Sequence, residues 1–482
     1  MAIPKDATRT KIVCTLGPAT RGPDAIRALV RAGMDVVRVN YSHGTADEHG
    51  RTIRLVREIA AEERAVVAVL ADLQGPKLRL GDLAHPFELL VGDRIALCDD
   101  ARADGSDRTF PLPHPELIES VRPGGRLIFG DGEPEAVVRE VGPHAVVAEV
   151  IAAGQLSSRK GVAAPGAAAT LAAFTAKDRE DARSAVAGGA DYVALSFVRT
   201  GDDVRRLRDH LATLPGGAGV GIVAKIEKAD AIKNLDDILQ TADAVMVARG
   251  DLGVEMSPQD VPMHQKAIIR HSNRLGKPVI TATQMLQSMT VSPRPTRAEA
   301  SDVANAILDG TDALMLSAET ATGKFPLQAA AMMREIAAIA EKHVPWRVDD
   351  AASHGDEHPY PVTSAISEAV VRIADQVGAR LIVASTWSGY TARQIAKERP
   401  RQTIVALTPD ARVERQLALV WGVVPVLVPE YEGADAMLRV AVQALLTGGY
   451  AAEGELVVLC AGVPTGGGGR TNFIKVHRLG AT

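Results

Sequence analysis

The stretch Val220–Glu227, VGIVAKIE, begins as a β-branched apolar run between glycines and ends in charge. It reads as a fully buried strand. Lys225 and Glu227 stand at i and i+2, so on a strand their side chains share one face. A second run of the same kind follows, Ala244–Asp251, AVMVARGD. As parallel neighbours, the two strands bring Lys225, Glu227 and Asp251 together at their C-terminal ends. Two carboxylates and an ammonium there suit a divalent cation and a phosphate. Taken singly, each has a plainer reading: Lys225 and Glu227 as a strand-end ion pair, Asp251 as the start of a helix. Unpaired charge at a buried strand end is costly, so the combination tells more than its members.

Working outward, eight short apolar runs are separated mostly by helix-length amphipathic segments: 11–16, 36–40, 66–72, 192–196, 222–227, 244–249, 278–283 and 313–317. Strand–helix alternation of this kind predicts an α/β protein built on a (β/α)8 TIM barrel. Helix punctuation agrees: Ser257 before Pro258 reads as an N-cap with proline at the first helical position, and Gly276 as the stop. Thr296 with Glu299 reads as a capping box, with Gly310 past the end of that helix. The rhythm fails between about Gly75 and Leu171. There the sequence holds short β-like runs (87–91, 94–98, 126–129, 136–141, 145–151) and no helix-length pattern, with turn residues such as Gly92-Asp93 and Asp131-Gly132. After about Val344 a charged linker leads to another α/β pattern with runs at 379–385, 403–407, 423–428 and 456–460. The expected organisation is a barrel over 1–74 and 171–343, an inserted small all-β lid domain over 75–170, and a C-terminal open-sheet α/β domain over 344–482.

Hydrophobic residues make up 46% of the 482 and aromatics only 3%. The cores must therefore be built from Val, Ile, Leu and Ala, as in buried parallel sheets. Net charge is −5 with both signs dispersed, which excludes a basic nucleic-acid surface. Cys14, Cys98 and Cys460 are odd in number and far apart, so neither a disulfide framework nor a zinc site is expected. Met-Ala-Ile-Pro-Lys carries no apolar signal segment, and the uncharged run 161–176 contains Pro165 and is too rich in Ala and Gly to span a membrane. A soluble cytoplasmic protein is expected.

Barrel enzymes place their chemistry where the strands end. The ends here carry Arg38, Asn40 and Ser42; Asp72; Ser196; Lys225 and Glu227; Arg249 and Asp251; Thr283; Ser317 and Glu319. A purely structural barrel has no need of a polar group on nearly every strand. Arg38 and Lys225 suit a phosphate, and Glu227 and Asp251 suit magnesium, which takes one or two carboxylates and fills its shell with water and substrate oxygens. The segment GDLGVE after Arg249 reads as a short helix start whose backbone N–H groups could receive a carboxylate. Such a site positions and neutralises charge without a covalent nucleophile, as phosphoryl transfer requires.

The stretches KIVCTLGPA (11–19), RVNYSHG (38–44), DLQGP (72–76), KIE (225–227), ARGDLGVE (248–255), TQML (283–286), PTRAE (295–299) and MLSAET (315–320) together resemble the pyruvate kinases. The likeness runs essentially from end to end. It implies transfer of the phosphoryl group of phosphoenolpyruvate to ADP, giving pyruvate and ATP, with Mg²⁺ or Mn²⁺ on Glu227 and Asp251. By the same resemblance, Arg38 contacts the transferring phosphate, and Lys225 stabilises it and the developing enolate. The backbone of Gly250 and Asp251, with Thr283, holds the substrate carboxylate. Thr283 and Ser317 are candidates for the proton relay. Arg79 and Lys160 contact the nucleotide, with Asn40 and His43 nearby. The β insertion closes as a lid that excludes water.

Many family members read Asp-Thr-Lys-Gly-Pro-Glu and need K⁺ where this chain reads Asp72-Leu-Gln-Gly-Pro-Lys77. Lys77 is expected to supply the missing charge, leaving the monovalent-cation site of Asn40, Ser42, Asp72 and the Leu73 carbonyl empty or redundant. In the C-terminal domain Ser385, Thr386, Ser388, Gly389 and Thr391 lie where a strand turns into a helix, with Arg470 on a nearby Gly-rich loop. They resemble the family's allosteric phosphate site, implying a phosphorylated activator such as AMP or a sugar monophosphate; a plain Ser/Thr-capped helix start is the other reading. The family also implies a homotetramer. Two other functions stay open at this point. A Mg²⁺-dependent barrel aldolase would share the metal site without needing ADP, and a non-catalytic metabolite sensor would use only the C-terminal loop.

Overall fold

A computed structural model describes residues 8–100, 103–130, 132–167, 172–344, 361–463 and 471–480. The apolar runs form a closed parallel barrel whose strands are β1 (Lys11–Thr15), β2 (Val36–Asn40), β3 (Ala68–Asp72), β4 (Tyr192–Leu195), β5 (Gly221–Ile226), β6 (Ala244–Ala248), β7 (Val279–Ala282) and β8 (Ala313–Leu316). They hydrogen-bond in sequence order around the ring, and β8 returns to β1. Strand β5 is buried along its whole length, Lys225 included. The expected α/β barrel is thus present.

The opposite, N-terminal end of the barrel shows a repeat that the search for strand ends passed over. An aspartate immediately precedes each even-numbered strand: Asp35, Asp191, Asp243 and Asp312. Each carboxylate accepts the backbone N–H of a residue on the preceding odd strand. The donors are Ile12 (2.8 Å), Val69 (2.8 Å), Ile222 (2.8 Å) and Val279 (3.0 Å). Each aspartate also donates its own N–H to the carbonyl of that same residue. Every odd–even strand pair is therefore stapled twice at its base, where strand-end N–H groups would otherwise lack partners.

Between β3 and β4 the chain leaves the barrel to form a six-stranded sheet and a short separate ladder between 87–89 and 154–156. This part has its own core, including Leu80, Leu97, Phe110, Phe129 and Val138. It corrects the expectation of no helix here: Pro115–Ser120 is helical and buries Leu117 and Ile118. Only one turn and a half long, that segment has no room for a helical period. The strand read over 87–91 stops at Leu89, leaving Leu90 and Val91 exposed at a turn. Elsewhere, Pro258–Asp260 forms a 3₁₀ turn and the α-helix begins at Val261. Ser257 therefore precedes the 3₁₀ turn, without a side-chain capping hydrogen bond, and Asp260 stands at the N-cap of the α-helix. The Thr296–Glu299 capping box forms as read.

The C-terminal part is an open five-stranded sheet in the order 423–427, 403–408, 381–385, 456–462 and 471–478, and its last strand is antiparallel. It covers the aspartate-bearing end of the barrel. Ala418 and Leu419 are buried in one cluster with Val13, Leu70, Met246 and Ile280 of the barrel interior. Arg415 reaches Asp191 at 2.8 Å, and Arg399 reaches Asp312 at 3.2 Å while lying 4.8 Å over the Trp421 ring. No helix of the described residues is long and apolar enough to cross a membrane.

Candidate active site

The rim at the C-terminal ends of the barrel strands gathers a buried cluster of charge. Register pairs β5 with β4 and β6 in parallel, so Lys225 and Glu227 emerge beside Ser196 and the start of the helix Arg249–Glu255. The Lys225 ammonium lies 2.9 Å from Glu227 Oε1, 3.3 Å from Asp72 Oδ1 and 2.7 Å from Ser196 Oγ. Ser196 in turn donates to the Leu73 carbonyl at 2.7 Å. From β2, Arg38 Nε donates to Asp72 Oδ2 at 2.7 Å, and its Nη1 donates to Thr15 Oγ1 at 3.0 Å.

Burial disfavours all these charges, and the partners decide which way each group shifts. For Asp72 burial pushes upward, but Lys225 and Arg38 outweigh it and hold the carboxyl below its ordinary value. Burial works against the Lys225 ammonium too, yet Asp72 and Glu227 push it above the usual lysine range. Glu227 goes the other way. Burial raises its carboxyl, Lys225 offsets part of that, and Asp251 adds repulsion. Glu227 Oε2 accepts the Phe197 N–H at 2.7 Å, whereas Oε1 is buried without a hydrogen bond of acceptable geometry. That oxygen, with the exposed Asp251 carboxylate near enough to repel it, is a hard, anionic donor pair. A magnesium ion fits such a pair, its other ligands being water and substrate oxygens. Among the described residues no group of three or more His, Cys, Asp or Glu could hold a metal, so a closed all-protein site is not what this rim offers.

The neighbouring rim loops are held in unusual backbone. Thr283 and Gln284 have φ of 67° and 54°, and Phe197 has φ 56°. Non-glycine residues take this region only when the surroundings impose it. Thr283 Oγ1 accepts the Gly250 N–H at 2.8 Å and donates to the Ala282 carbonyl. The expected substrate-facing N–H of Gly250 is thus already engaged by Thr283. Arg249 clamps the same loop through the Thr283 carbonyl at 2.8 Å and is itself held by Asp302 at 2.7 Å. Ser317 presents a buried hydroxyl oxygen with no partner. Its backbone N–H and that of Leu286 both donate to the fully buried Glu319. Glu319 therefore ties the β7 and β8 loops together.

Where the inserted domain joins the barrel, Arg79 pairs with Gly161 across an antiparallel bridge, and Lys160 is the residue next to Gly161 on that facing segment. Arg79 Nη1 donates to the Arg159 carbonyl at 2.9 Å, and Lys160 donates to the Gln155 carbonyl. Asn40 accepts the Ser42 N–H, and His43 is exposed on the following turn. The Leu73 carbonyl and the Asp72 carboxylate, read as half of a monovalent-cation site, are already engaged by Ser196, Arg38 and Lys225. Lys77 is exposed and makes no ion pair among the described residues.

Matches to known proteins cover nearly the whole chain. Residues 7–330 match the family model "Pyruvate kinase, barrel domain" and 364–477 match "Pyruvate kinase, alpha/beta domain". The chain is 43% identical over 474 residues to a pyruvate kinase of Geobacillus stearothermophilus, covering 97% of this chain and 80% of that protein. To a pyruvate kinase of Agrobacterium vitis it is 44% identical over 475 residues, covering 98% and 97%. The chain belongs to the pyruvate kinase family. A solved pyruvate kinase from Cryptosporidium parvum superposes with a TM-score of 0.92 at 35% identity, covering 99% of this chain and 98% of that one. The protein is accordingly an enzyme of the phosphotransferase class.

Against that family frame, the candidate effector residues are mixed. The Ser385 hydroxyl hydrogen-bonds that of Tyr431 and Thr391 pairs with Thr471 at 2.9 Å, so both hydroxyls serve the fold. Thr386 is buried; Ser388 is exposed; Gly389 has φ 75° before the helix Tyr390–Ala396. Arg470 lies outside the described residues. Two residues of the site were missed as partners. Ser196 bridges Lys225 to Leu73, and Glu319 supports Ser317; both stood among the strand ends, but only contacts across the ring reveal what they hold.

Proposed function

We propose that this enzyme transfers the phosphoryl group of phosphoenolpyruvate to ADP, giving pyruvate and ATP in cytoplasmic glycolysis. One observation carries the reading: a buried ammonium, Lys225, is held between the buried carboxylates of Asp72 and Glu227 at a barrel rim, with the Asp251 carboxylate close to Glu227. In this reading the P–O bond to the enol oxygen breaks as a bond forms to the β-phosphate oxygen of ADP. Arg38 and Lys225 hold the phosphoryl oxygens, and Lys225 offsets the charge that develops on the enolate. Thr283 and the backbone of Gly250 and Asp251 orient the carboxylate, the Thr283 hydroxyl giving up its present bond. Ser317, with Thr283, relays the proton that converts enolate to pyruvate. Magnesium on Glu227 and Asp251 supplies charge neutralisation and fixes the substrate oxygens when bound.

Asn40, His43, Arg79 and Lys160 form the nucleotide side, and the presence of both Arg79 and Lys160, next to the Arg79–Gly161 bridge, favours this over an aldolase, which needs neither. The division into barrel (1–74, 171–343), lid (75–170) and C-terminal domain (344–482) belongs to the same proposal. So do a homotetramer and activation by a phosphorylated metabolite near Ser388. Monovalent cation is not required, because Lys77 brings an ammonium to the position of a glutamate in K⁺-requiring members. A lactate-dehydrogenase-coupled assay with phosphoenolpyruvate, ADP and Mg²⁺ tests the whole reading, and absence of ADP-dependent turnover ends it. Glu227→Gln should shift the Mg²⁺ titration of activity to higher concentration, since an amide is a poorer ligand for a hard cation. Superimposable titrations would remove Glu227 as a ligand.

A further inference from the structure

The extended backbone at Arg79 has one side fully accounted for. Leu80 N–H donates to the Lys160 carbonyl and Val162 N–H to the Leu78 carbonyl, so Arg79 and Gly161 face each other without exchanging bonds. The Arg79 N–H therefore points away from this ladder. Its acceptor is a side chain, His114 Nε2, at 3.1 Å.

That imidazole is rigidly mounted. His114 sits at the start of the helix Pro115–Ser120, its N–H donates to Leu112, and its carbonyl accepts Leu117 and Ile118 N–H groups. Leu117 and Ile118 belong to the core of the inserted domain. An accepting Nε2 puts the ring proton on Nδ1, which faces Glu116 Oε1 at 3.5 Å. His114 thus fixes the Arg79 backbone to the lid core at the point where the lid meets the barrel. The Arg79 side chain, steadied by the Arg159 carbonyl, is aimed from that fixed Cα.

The geometry points to His114 as a positioning residue for the nucleotide, acting through Arg79. It would set the guanidinium for the phosphates of a nucleoside diphosphate without touching them. This rests on the reading of Arg79 as a nucleotide contact, and the test separates the two. Steady-state kinetics are measured with phosphoenolpyruvate and MgADP varied in turn. His114→Phe, which keeps a ring but no acceptor, should raise KM for ADP about fivefold, the loss expected for one neutral hydrogen bond. The kcat and KM for phosphoenolpyruvate should stay near wild type. His114→Gln, whose amide oxygen can accept the same N–H, should restore KM for ADP; His114→Ala replaces the Phe variant if that fails to fold. In an Arg79→Ala background, His114→Phe should add nothing. If His114→Phe leaves KM for ADP unchanged while Arg79→Ala raises it, the positioning role is wrong. Failure of Gln to restore what Phe removes reduces His114 to packing and also overturns it. If Arg79→Ala itself leaves KM for ADP unchanged, it is the nucleotide reading that fails.

Discussion

Lys225 is the residue on which the rim's electrostatics depend. It is 9% exposed and stands between two carboxylates that are each about 1% exposed, so its loss leaves two buried anions with Arg38 alone to offset them. Lys225→Met should lower kcat roughly 10²-fold or more, as removal of one preorganised charge does in such sites. Wild-type turnover in a folded variant would take Lys225 out of the mechanism. The same variant carries a pH signature. Glu227 is already pushed above its ordinary 4.5 and loses its main offset. Its folded pKa then exceeds the unfolded one, so the native state binds more protons and stability falls as pH rises from about 4.5 upward. The melting deficit of Lys225→Met relative to wild type should shrink on acidification from pH 8 to 5; a deficit that grows instead contradicts the burial argument. Lys77 offers a contrasting case, because it is exposed and unpaired among the described residues. If its charge replaces K⁺, KCl added at constant ionic strength in tetramethylammonium buffer should stimulate activity less than tenfold, about 1.4 kcal/mol of barrier. Lys77→Glu should introduce a K⁺ requirement, and a variant that stays indifferent to K⁺ refutes the replacement.

The barrel strands themselves were legible, because β-branched runs bounded by glycine and polar residues have few other ways to be buried. So were the charges at their C-terminal ends. The aspartates before β2, β4, β6 and β8 were equally visible, as MDVV, ADYV, ADAV and TDAL, yet an aspartate before a strand is ordinary turn chemistry. Only the hydrogen bonds to the odd strands reveal the fourfold staple. Phe197, Thr283 and Gln284 at positive φ were not legible, since nothing in their side chains favours that region and the surrounding bonds impose it. The staple gives a graded expectation. The aspartate side chains are 0%, 6%, 21% and 42% exposed for Asp191, Asp312, Asp35 and Asp243. Removing one partner from a buried, hydrogen-bonded ion pair costs about 3–5 kcal/mol, whereas exposed pairs contribute at most about 1 kcal/mol. Alanine substitutions should therefore lower the melting temperature in the order Asp191, Asp312, Asp35, Asp243. Asp191 also leaves Arg57 and Arg415 without their carboxylate. A melting series that ignores burial would show that the strand-base bonds are dispensable.

At the scale of the molecule, the rim proposed to carry the chemistry and the floor that carries the staple lie at opposite ends of one barrel, and the C-terminal domain closes the floor. It does so by inserting its own backbone and side chains. Leu419 is 1% exposed among barrel residues, Tyr192 donates to the Gln416 carbonyl at 2.9 Å, and Lys11 donates to the Val423 carbonyl at 2.8 Å. Arg415 and Arg399 meet the aspartates before β4 and β8, which lie on opposite sides of the ring. A contact so buried and so evenly spread should make barrel and C-terminal domain unfold together. Calorimetry of the wild-type protein is expected to show one transition spanning both. Leu419→Ala removes buried apolar contacts worth about 2–5 kcal/mol, and Arg399→Ala removes both the Asp312 pair and the cation held over Trp421. The double variant should melt in two steps, while kcat at moderate temperature stays close to wild type because the rim is untouched. A single transition at the wild-type temperature would mean that the floor contact carries little of the coupling. A large fall in kcat with both domains still folded would mean instead that the floor communicates with the rim, through the barrel strands that share both ends.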